Sequence, residues 1–169
     1  AWGEVVPSAA AILVDPRTGA LRAVLALEED VFEARFSVDG RRALLLGHTA
    51  SCGESLGGSV LYEVDTTDLS ILRTVRAPEG PMSTEFVAAH YDARTGALRV
   101  ALVDGEARRL SIGLVDETGA IVEARAICDD VRGVQVSADG RLAAVFLRNG
   151  DVENAPMRLH VLDLVTLEI

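Results

Sequence analysis

The sequence contains no lysine, and all sixteen of its basic residues are arginine. Twenty-six acidic residues stand against them, so the formal net charge is −10 at pH 7. Such a surface repels phosphate groups, which excludes nucleic acid as an expected partner and disfavours anionic membranes. A protein partner or a cationic ligand fits this charge, and acidity that serves only solubility is the simpler interpretation.

Long apolar runs are also absent, although hydrophobic residues make up 49% of the chain. No run approaches the length of about 18 residues that a membrane-spanning helix requires, so we expect a folded domain without a membrane span. Cysteine is scarce, and Cys52 and Cys128 have no zinc-type spacing. One disulfide and two free thiols are both open, so the compartment is open too, with a periplasmic or extracellular location among the options.

Two segments a hundred residues apart share one pattern: FSVDGRRALLL at 36–46 and VSADGRLAAVF at 136–146. In each, an extended run leads into a Ser-x-Asp-Gly turn, and a second apolar run follows. Asp-Gly suits a tight hairpin, because glycine accepts a positive φ and the Asp side chain can accept bonds from nearby backbone N–H groups. The pattern therefore predicts a β-hairpin at both places.

A second pattern, strand–Asp–turn–strand, occurs four times along the chain. Its aspartates are Asp15, Asp65, Asp116 and Asp163, at spacings of 50, 51 and 47 residues. A degenerate copy of the first pattern lies between, at 86–104 with Asp92 in its turn. A repeat of about 50 residues made of four short strands is typical of a β-propeller blade.

The sequence thus predicts an all-β fold of propeller blades, about three and a half four-stranded repeats in an incomplete ring. We expect one segment over 1–169, with a partial blade at 9–27 and blades at 31–76, 85–126 and 132–169. Propellers usually have roughly four to eight blades, so the remaining blades would come from the same longer chain or from a second copy. We favour the longer chain. An open solenoid or a β-sandwich is the structural alternative.

The two Ser-x-Asp-Gly hairpins, each followed by a strand that ends in Asp, resemble the TolB-like or WD-repeat-like bacterial β-propellers. The resemblance covers nearly the whole chain. It departs from true WD repeats, because the Gly-His and Trp-Asp signatures are absent. The resemblance implies the fold and little about function, since propellers carry many unrelated activities.

Loop length predicts which side of the blades carries function. The turns on one side are short, whereas the loops of the opposite side are long at 48–59, 76–84 and 148–157. Binding residues concentrate in such loops. The loops of this side contain twelve Asp or Glu and four Arg. We therefore expect a non-catalytic module whose acidic loop face binds a protein or ligand. The candidate binding residues are Asp30, Glu33, Glu54, Glu85, Asp129, Asp130, Asp151 and Glu153.

No cofactor is expected, although converging carboxylates of this kind could bind Ca²⁺. The DxDxDG spacing of a calcium loop is absent, and carboxylates that only face water are the simpler interpretation. The alternative function is a propeller enzyme of the lactonase, dehydrogenase or hydrolase type. In that enzyme Glu33, Glu85 and Asp130 would hold a metal near the central channel. A structural part of a larger assembly is a third hypothesis.

Other motifs point less clearly to chemistry. GESLGG at 53–58 satisfies the G-x-S-x-G pattern with Ser55, but the residues after it alternate as a strand, and that nucleophile motif requires a helix there. The segment also lacks the lysine of a phosphate-binding loop. His48, His90 and His160 occupy non-equivalent places in the repeat, so we expect no shared metal site. We predict no catalytic residue.

Overall fold

A computed structural model describes most of the chain. The described residues are 9–27, 29–37, 39–48, 58–78, 84–92, 95–105, 108–137, 141–148, 157–164 and 166–168. Thirteen β-strands lie within these ranges, and no helix does. No membrane-spanning helix is therefore present in the described part of the chain. The predicted all-β class is confirmed.

The strands form four antiparallel sheets, which follow one another in chain order. The first, called the half-blade, comprises β1 (Ala9–Val14) and β2 (Leu21–Leu27). Blade 1 comprises β3 (Asp30–Phe36), β4 (Arg42–His48), β5 (Ser59–Asp65) and β6 (Ile71–Arg76). Blade 2 comprises β7 (Thr84–Tyr91), β8 (Leu98–Asp104), β9 (Leu110–Val115) and β10 (Ile121–Cys128). Blade 3 comprises β11 (Val131–Val136), β12 (Leu142–Arg148) and β13 (Met157–Asp163).

These sheets confirm the predicted stack of four-stranded blades in an incomplete ring. In blades 1 and 2 the spatial order of the strands equals their order in the chain. In blade 3, an isolated bridge between Asp163 and Glu168 lies beyond β13. The assignment of residues 1–169 to a single segment stays a prediction.

Three of the four repeated aspartates form turns of one design, whereas the carbonyl of Asp116 accepts from the N–H of Gly119, three residues later, at 3.1 Å. The backbone carbonyl of Asp15, Asp65 and Asp163 accepts a hydrogen bond from the N–H four residues later, at 2.7–2.9 Å. The same bond, from Gly96 to Asp92, occurs in the first turn of blade 2. The donor residue has a positive φ each time, 69° at Gly96 and 62° at Leu69, which is strained for leucine. The Asp side chain adds a bond from the backbone two or three residues later. Turn geometry therefore explains why Asp recurs at this place in the repeat.

The hydrophobic core lies between the blades. Successive residues of a strand point to opposite faces, so each blade contributes to two interfaces. Between blades 1 and 2, buried residues include Leu44, Leu46, Leu61, Phe86, Leu98 and Val100. Between blades 2 and 3, they include Ala88, Ile112, Val136, Val145 and Leu162. The half-blade covers Ala43, Leu45 and Val64 on the other face of blade 1.

Candidate functional site

The blades have two ends with different connections. At the turn end, five- to six-residue segments join the first strand of a blade to its second and the third to its fourth. At the loop end lie the connections from the second strand to the third and from one blade to the next. Arg35 of β3 donates to the backbone carbonyl of Val136 in β11 at 3.3 Å, so the first strands of blades 1 and 3 approach one another. We call this region, where the first strands meet, the hub.

Four of the predicted binding residues lie at the loop end with exposed side chains. They are Asp30, Glu85, Asp129 and Asp130. Asp30 and Glu85 are the first and second residues of β3 and β7, and Asp130 directly precedes β11. Each of these three carboxylates therefore stands where a first strand begins at the loop end. Glu54, Asp151 and Glu153 lie outside the described residues, as does Ser55.

Glu33 lies elsewhere, in the middle of β3. Its carboxylate accepts a hydrogen bond from Arg35 Nε at 2.6 Å, and both side chains are about three-quarters buried. The two residues share one face of the strand, because residues two apart point the same way. The charge of Glu33 is thus paired with that of Arg35 within the hub.

Asp129 and Asp130 differ in what holds them. Asp129 accepts a hydrogen bond from Arg109 Nε at 2.7 Å, and the carboxylate raises the pKa of the guanidinium. Asp130 has a φ of 59°, and its backbone carbonyl accepts a bond from the N–H of Arg148 at 3.1 Å. Aspartate tolerates this left-handed conformation better than most residues do. The backbone of Asp130 is therefore fixed while its side chain faces solvent.

Glu29 is a loop-end carboxylate that belongs to the structure. Glu29 is only 5% exposed. Its carboxylate accepts hydrogen bonds from the Tyr62 hydroxyl and, at 3.2 Å, from Arg76 Nη2. Its neighbour Asp30 is exposed. The sequence offers no signal that separates them, because both stand in one acidic run.

A second group of charges, which the sequence reasoning missed, lies towards the turn end between blades 1 and 2. We call Glu63, Arg42, Arg73 and Tyr91 the ionic cluster. Glu63 is 1% exposed and accepts hydrogen bonds from Arg42 at 2.8 Å, Arg73 at 2.6 Å and the Tyr91 hydroxyl at 2.7 Å. Burial raises the pKa of Glu63, but the bonds from Tyr91 and the two arginines outweigh it and lower the pKa overall.

The ionic cluster ties the two blades together. Tyr91 belongs to β7 of blade 2, and Arg73 also donates to the backbone carbonyl of Asp116 at 2.6 Å. A groove of about 600 Å³ opens beside the cluster, with Thr95 and Glu117 in its lining. Both carboxylate oxygens of Glu63 accept hydrogen bonds, so the cluster links the two blades, and removing one partner would leave a buried charge without its pair.

His90 lies near the same end, buried in β7 at 5% exposure. Burial, aided by the charge of Arg99, lowers the pKa of His90 to about 4, although Asp92 opposes the shift. Asp92 pairs with Arg99 at 3.2 Å. The imidazole is therefore neutral at pH 7 and belongs to a buried polar layer between blades 2 and 3.

The remaining candidate side chains stay apart from these groups. At the loop end, the ring of His48 stacks on Phe32 with 4.6 Å between ring centroids. Cys128 forms no disulfide with any described residue, and burial together with Asp129 raises the pKa of its thiol. Its predicted alternative partner Cys52 lies outside the described residues. Within the described ranges, no three His, Cys, Asp or Glu side chains are grouped so that they could hold a metal ion.

Comparison with known proteins finds solved structures that are similar to this chain. No family model matches the chain, and no curated protein does. Hydrazine synthase of Kuenenia stuttgartiensis is similar in structure, with a TM-score of 0.60 and 16% identity over 94% of this chain and 46% of that one. The dihydro-heme d1 dehydrogenase NirN in complex with DHE gives a TM-score of 0.61 and 17% identity over 96% of this chain and 32% of that one.

Both similar structures are β-propeller proteins, which supports the propeller fold of this chain. The chain spans less than half the length of either one. At these identities the likeness shows the fold alone. The narrower resemblance to TolB-like or WD-repeat-like propellers stays a prediction.

Proposed function

We propose that this β-propeller module is a non-catalytic binding module whose loop end binds a basic protein surface or another cationic ligand. One observation carries the proposal. The exposed carboxylates Asp30, Glu85 and Asp130 stand at equivalent places in three successive blades, where each first strand begins. The first strands of blades 1 and 3 approach one another near the turn end, and we infer that the three charges at the opposite ends of the first strands surround a common centre.

Electrostatics favour a cationic partner at this centre. Carboxylates that face water at the rim of a low-dielectric scaffold raise the negative potential there and attract positive charge. The rigid blades fix their spacing, so little conformational entropy is lost when a ligand binds. The ion pair between Arg109 and Asp129 lies beside Asp130 and limits the charge on that side.

The enzyme alternative uses the same carboxylates. A metal held by Asp130 and Glu85 would turn the loop end into a catalytic centre, whereas Glu33 is already paired with Arg35. The two similar structures share only 16% and 17% identity with this chain, and such identities carry no activity over to it. Ca²⁺ is therefore a probe in the test below and not a cofactor that we assign.

The test compares two triple variants with equal changes in charge. The loop-end variant carries Asp30→Asn, Glu85→Gln and Asp130→Asn. The matched control carries Glu117→Gln, Glu123→Gln and Glu168→Gln, whose side chains are exposed outside the loop end. Binding of a nona-arginine peptide and of Ca²⁺ is measured by calorimetry at low and high salt.

We expect the loop-end variant to bind the peptide at least about tenfold more weakly than the control, because a tenfold loss needs only about 1.4 kcal/mol spread over three contacts. Salt should weaken binding to the wild type. Equal losses in both variants would show that net charge alone attracts the peptide. A wild type that binds Ca²⁺ but no peptide would favour the metal hypothesis instead.

A further inference from the structure

Blade 3 exposes an apolar face that blade 1 buries. The pairing of β12 with β13 repeats that of β4 with β5: Phe146 stands opposite Leu159 as Leu46 stands opposite Leu61. Leu61 is fully buried, but Leu159 is 59% exposed. The two leucines occupy the same place in the repeat and point towards the side on which the next blade follows.

The same contrast holds along the neighbouring strand. Leu44 and Leu46 of β4 are buried beneath blade 2. Their counterparts in β12, Ala144 and Phe146, are partly exposed. Val161 of β13, which lies beside Ala144, is also exposed. No described residue covers this face, which we call the outward face of blade 3.

The opposite end of the stack, where the half-blade lies, also has an apolar residue that is exposed. Phe36 and Val136 are equivalent positions of the Ser-x-Asp-Gly repeat. Val136 is 7% exposed because blade 2 covers it, whereas Phe36 is 68% exposed. A cavity of about 290 Å³ with an apolar lining lies beside it, between β1 and β3. Among the described residues, the half-blade contributes β1 and β2 there, and they leave Phe36 of β3 uncovered.

We propose that the outward face of blade 3 is a blade interface that packs against a further four-stranded blade of the same polypeptide. The occupant presents apolar side chains, as β7 and β8 present Phe86, Leu98 and Val100 to blade 1. Burial removes from water an apolar surface that otherwise contacts it. The new interface continues the three interfaces already present in the stack.

Two observations favour the same polypeptide over a second copy of this chain. The connection between blades 2 and 3 is short, since only Asp129 and Asp130 separate β10 from β11. An equally short connection after blade 3 would bring a following blade to the face. Two copies would also bring together net charges of −10 each, which opposes association.

The experiment uses Leu159→Ala and the equivalent buried change Leu61→Ala. Each is made in the 169-residue chain and in the polypeptide that its gene encodes in full. In the 169-residue chain, Leu61→Ala should lower the melting temperature by about 10 °C, and Leu159→Ala should leave it unchanged. In the full gene product, both changes should lower the melting temperature of the propeller by similar amounts.

Light scattering on the 169-residue chain supplies the independent measurement. We expect a monomer. A dimer that Leu159→Glu converts to monomers would assign the outward face to a second copy and overturn the proposal. The proposal would also be overturned if Leu159→Ala left the melting temperature of the full gene product unchanged. It would be overturned as well if the full gene product were no longer than this chain.

Discussion

Carboxylates at the turn end and at the loop end of the blades differ in what they do. Turn-end carboxylates bind within the protein: Asp15 and Asp65 accept backbone N–H bonds in their turns, and nearby Glu63 holds two arginines and a tyrosine. At the loop end, Glu29 is buried and bonded in the same way, whereas Asp30 and Glu85 have exposed side chains. The acidity of the chain therefore includes carboxylates that are bonded within the fold and exposed carboxylates that can attract a partner.

The difference follows from the geometry of the turns. A short turn brings the Asp side chain within reach of N–H groups two or three residues later, and these bonds favour the ionised form. Accordingly, the pKa of Asp15 is lowered, chiefly by the bond from the N–H of Arg17 and the pair with Arg22. At the loop end, Asp30 and Asp130 stand at connections of only two residues that form no such turn, and their side chains are exposed. A count of acidic residues thus overstates the charge that is free to bind.

The largest effect that tests this comparison is expected at Glu63. Glu63→Ala leaves Arg73 buried without its carboxylate and removes the acceptor of Tyr91, so the free energy of unfolding should fall by about 4 kcal/mol. Urea denaturation measures this. Glu85→Ala, an exposed loop-end change, is the control and should have no effect. If the two variants were equally stable, the ionic cluster would not hold blades 1 and 2 together.

A second test uses pH and the buried His90. Its pKa in the folded protein is about 4, below the ordinary value of 6.5, so the unfolded chain binds the extra proton between these values. Stability should therefore be highest above pH 6.5 and fall by about 3 kcal/mol as pH drops to about 4. Denaturation at several pH values measures the slope.

The control for this slope is a histidine at the other end of the blades. His90→Gln should flatten the profile between pH 6.5 and pH 4, whereas His48→Gln, whose ring is exposed at the loop end, should leave it unchanged. If the profile stays steep in His90→Gln, titratable groups other than His90 cause the pH dependence of stability. Carboxylates with lowered pKa values, such as Asp15 and Glu63, lose their stabilisation at still lower pH.

The sequence could predict the blades because the turns and strands that form a blade depend on residues close together in the chain. Asp-Gly turns, alternating strands and the spacing of Asp15, Asp65 and Asp116 each act within about one blade, so the repeat appears directly in the residue order. The strained turn at Leu69 shows that the geometry persists even where glycine is missing.

The ionic cluster could not be predicted in the same way. Its members come from three strands of blade 1 and one of blade 2, and alternation reveals the face of a residue but not its neighbour across an interface. One signal was present: Glu63 shares a strand face with Leu61, and a charge at such a position indicates a buried pair. For Glu33, the signal was Arg35 two residues later on the same face.

The smallest expected effect concerns the exposed pair of Arg109 and Asp129 at the loop end. Both side chains are more than half exposed, and exposed pairs contribute little because water and salt screen them. Arg109→Gln should leave the free energy of unfolding unchanged within error and should strengthen binding of the nona-arginine peptide, since it frees the carboxylate beside Asp130. A destabilised variant would mean that loop-end carboxylates are structural too, and the contrast between the two ends would disappear.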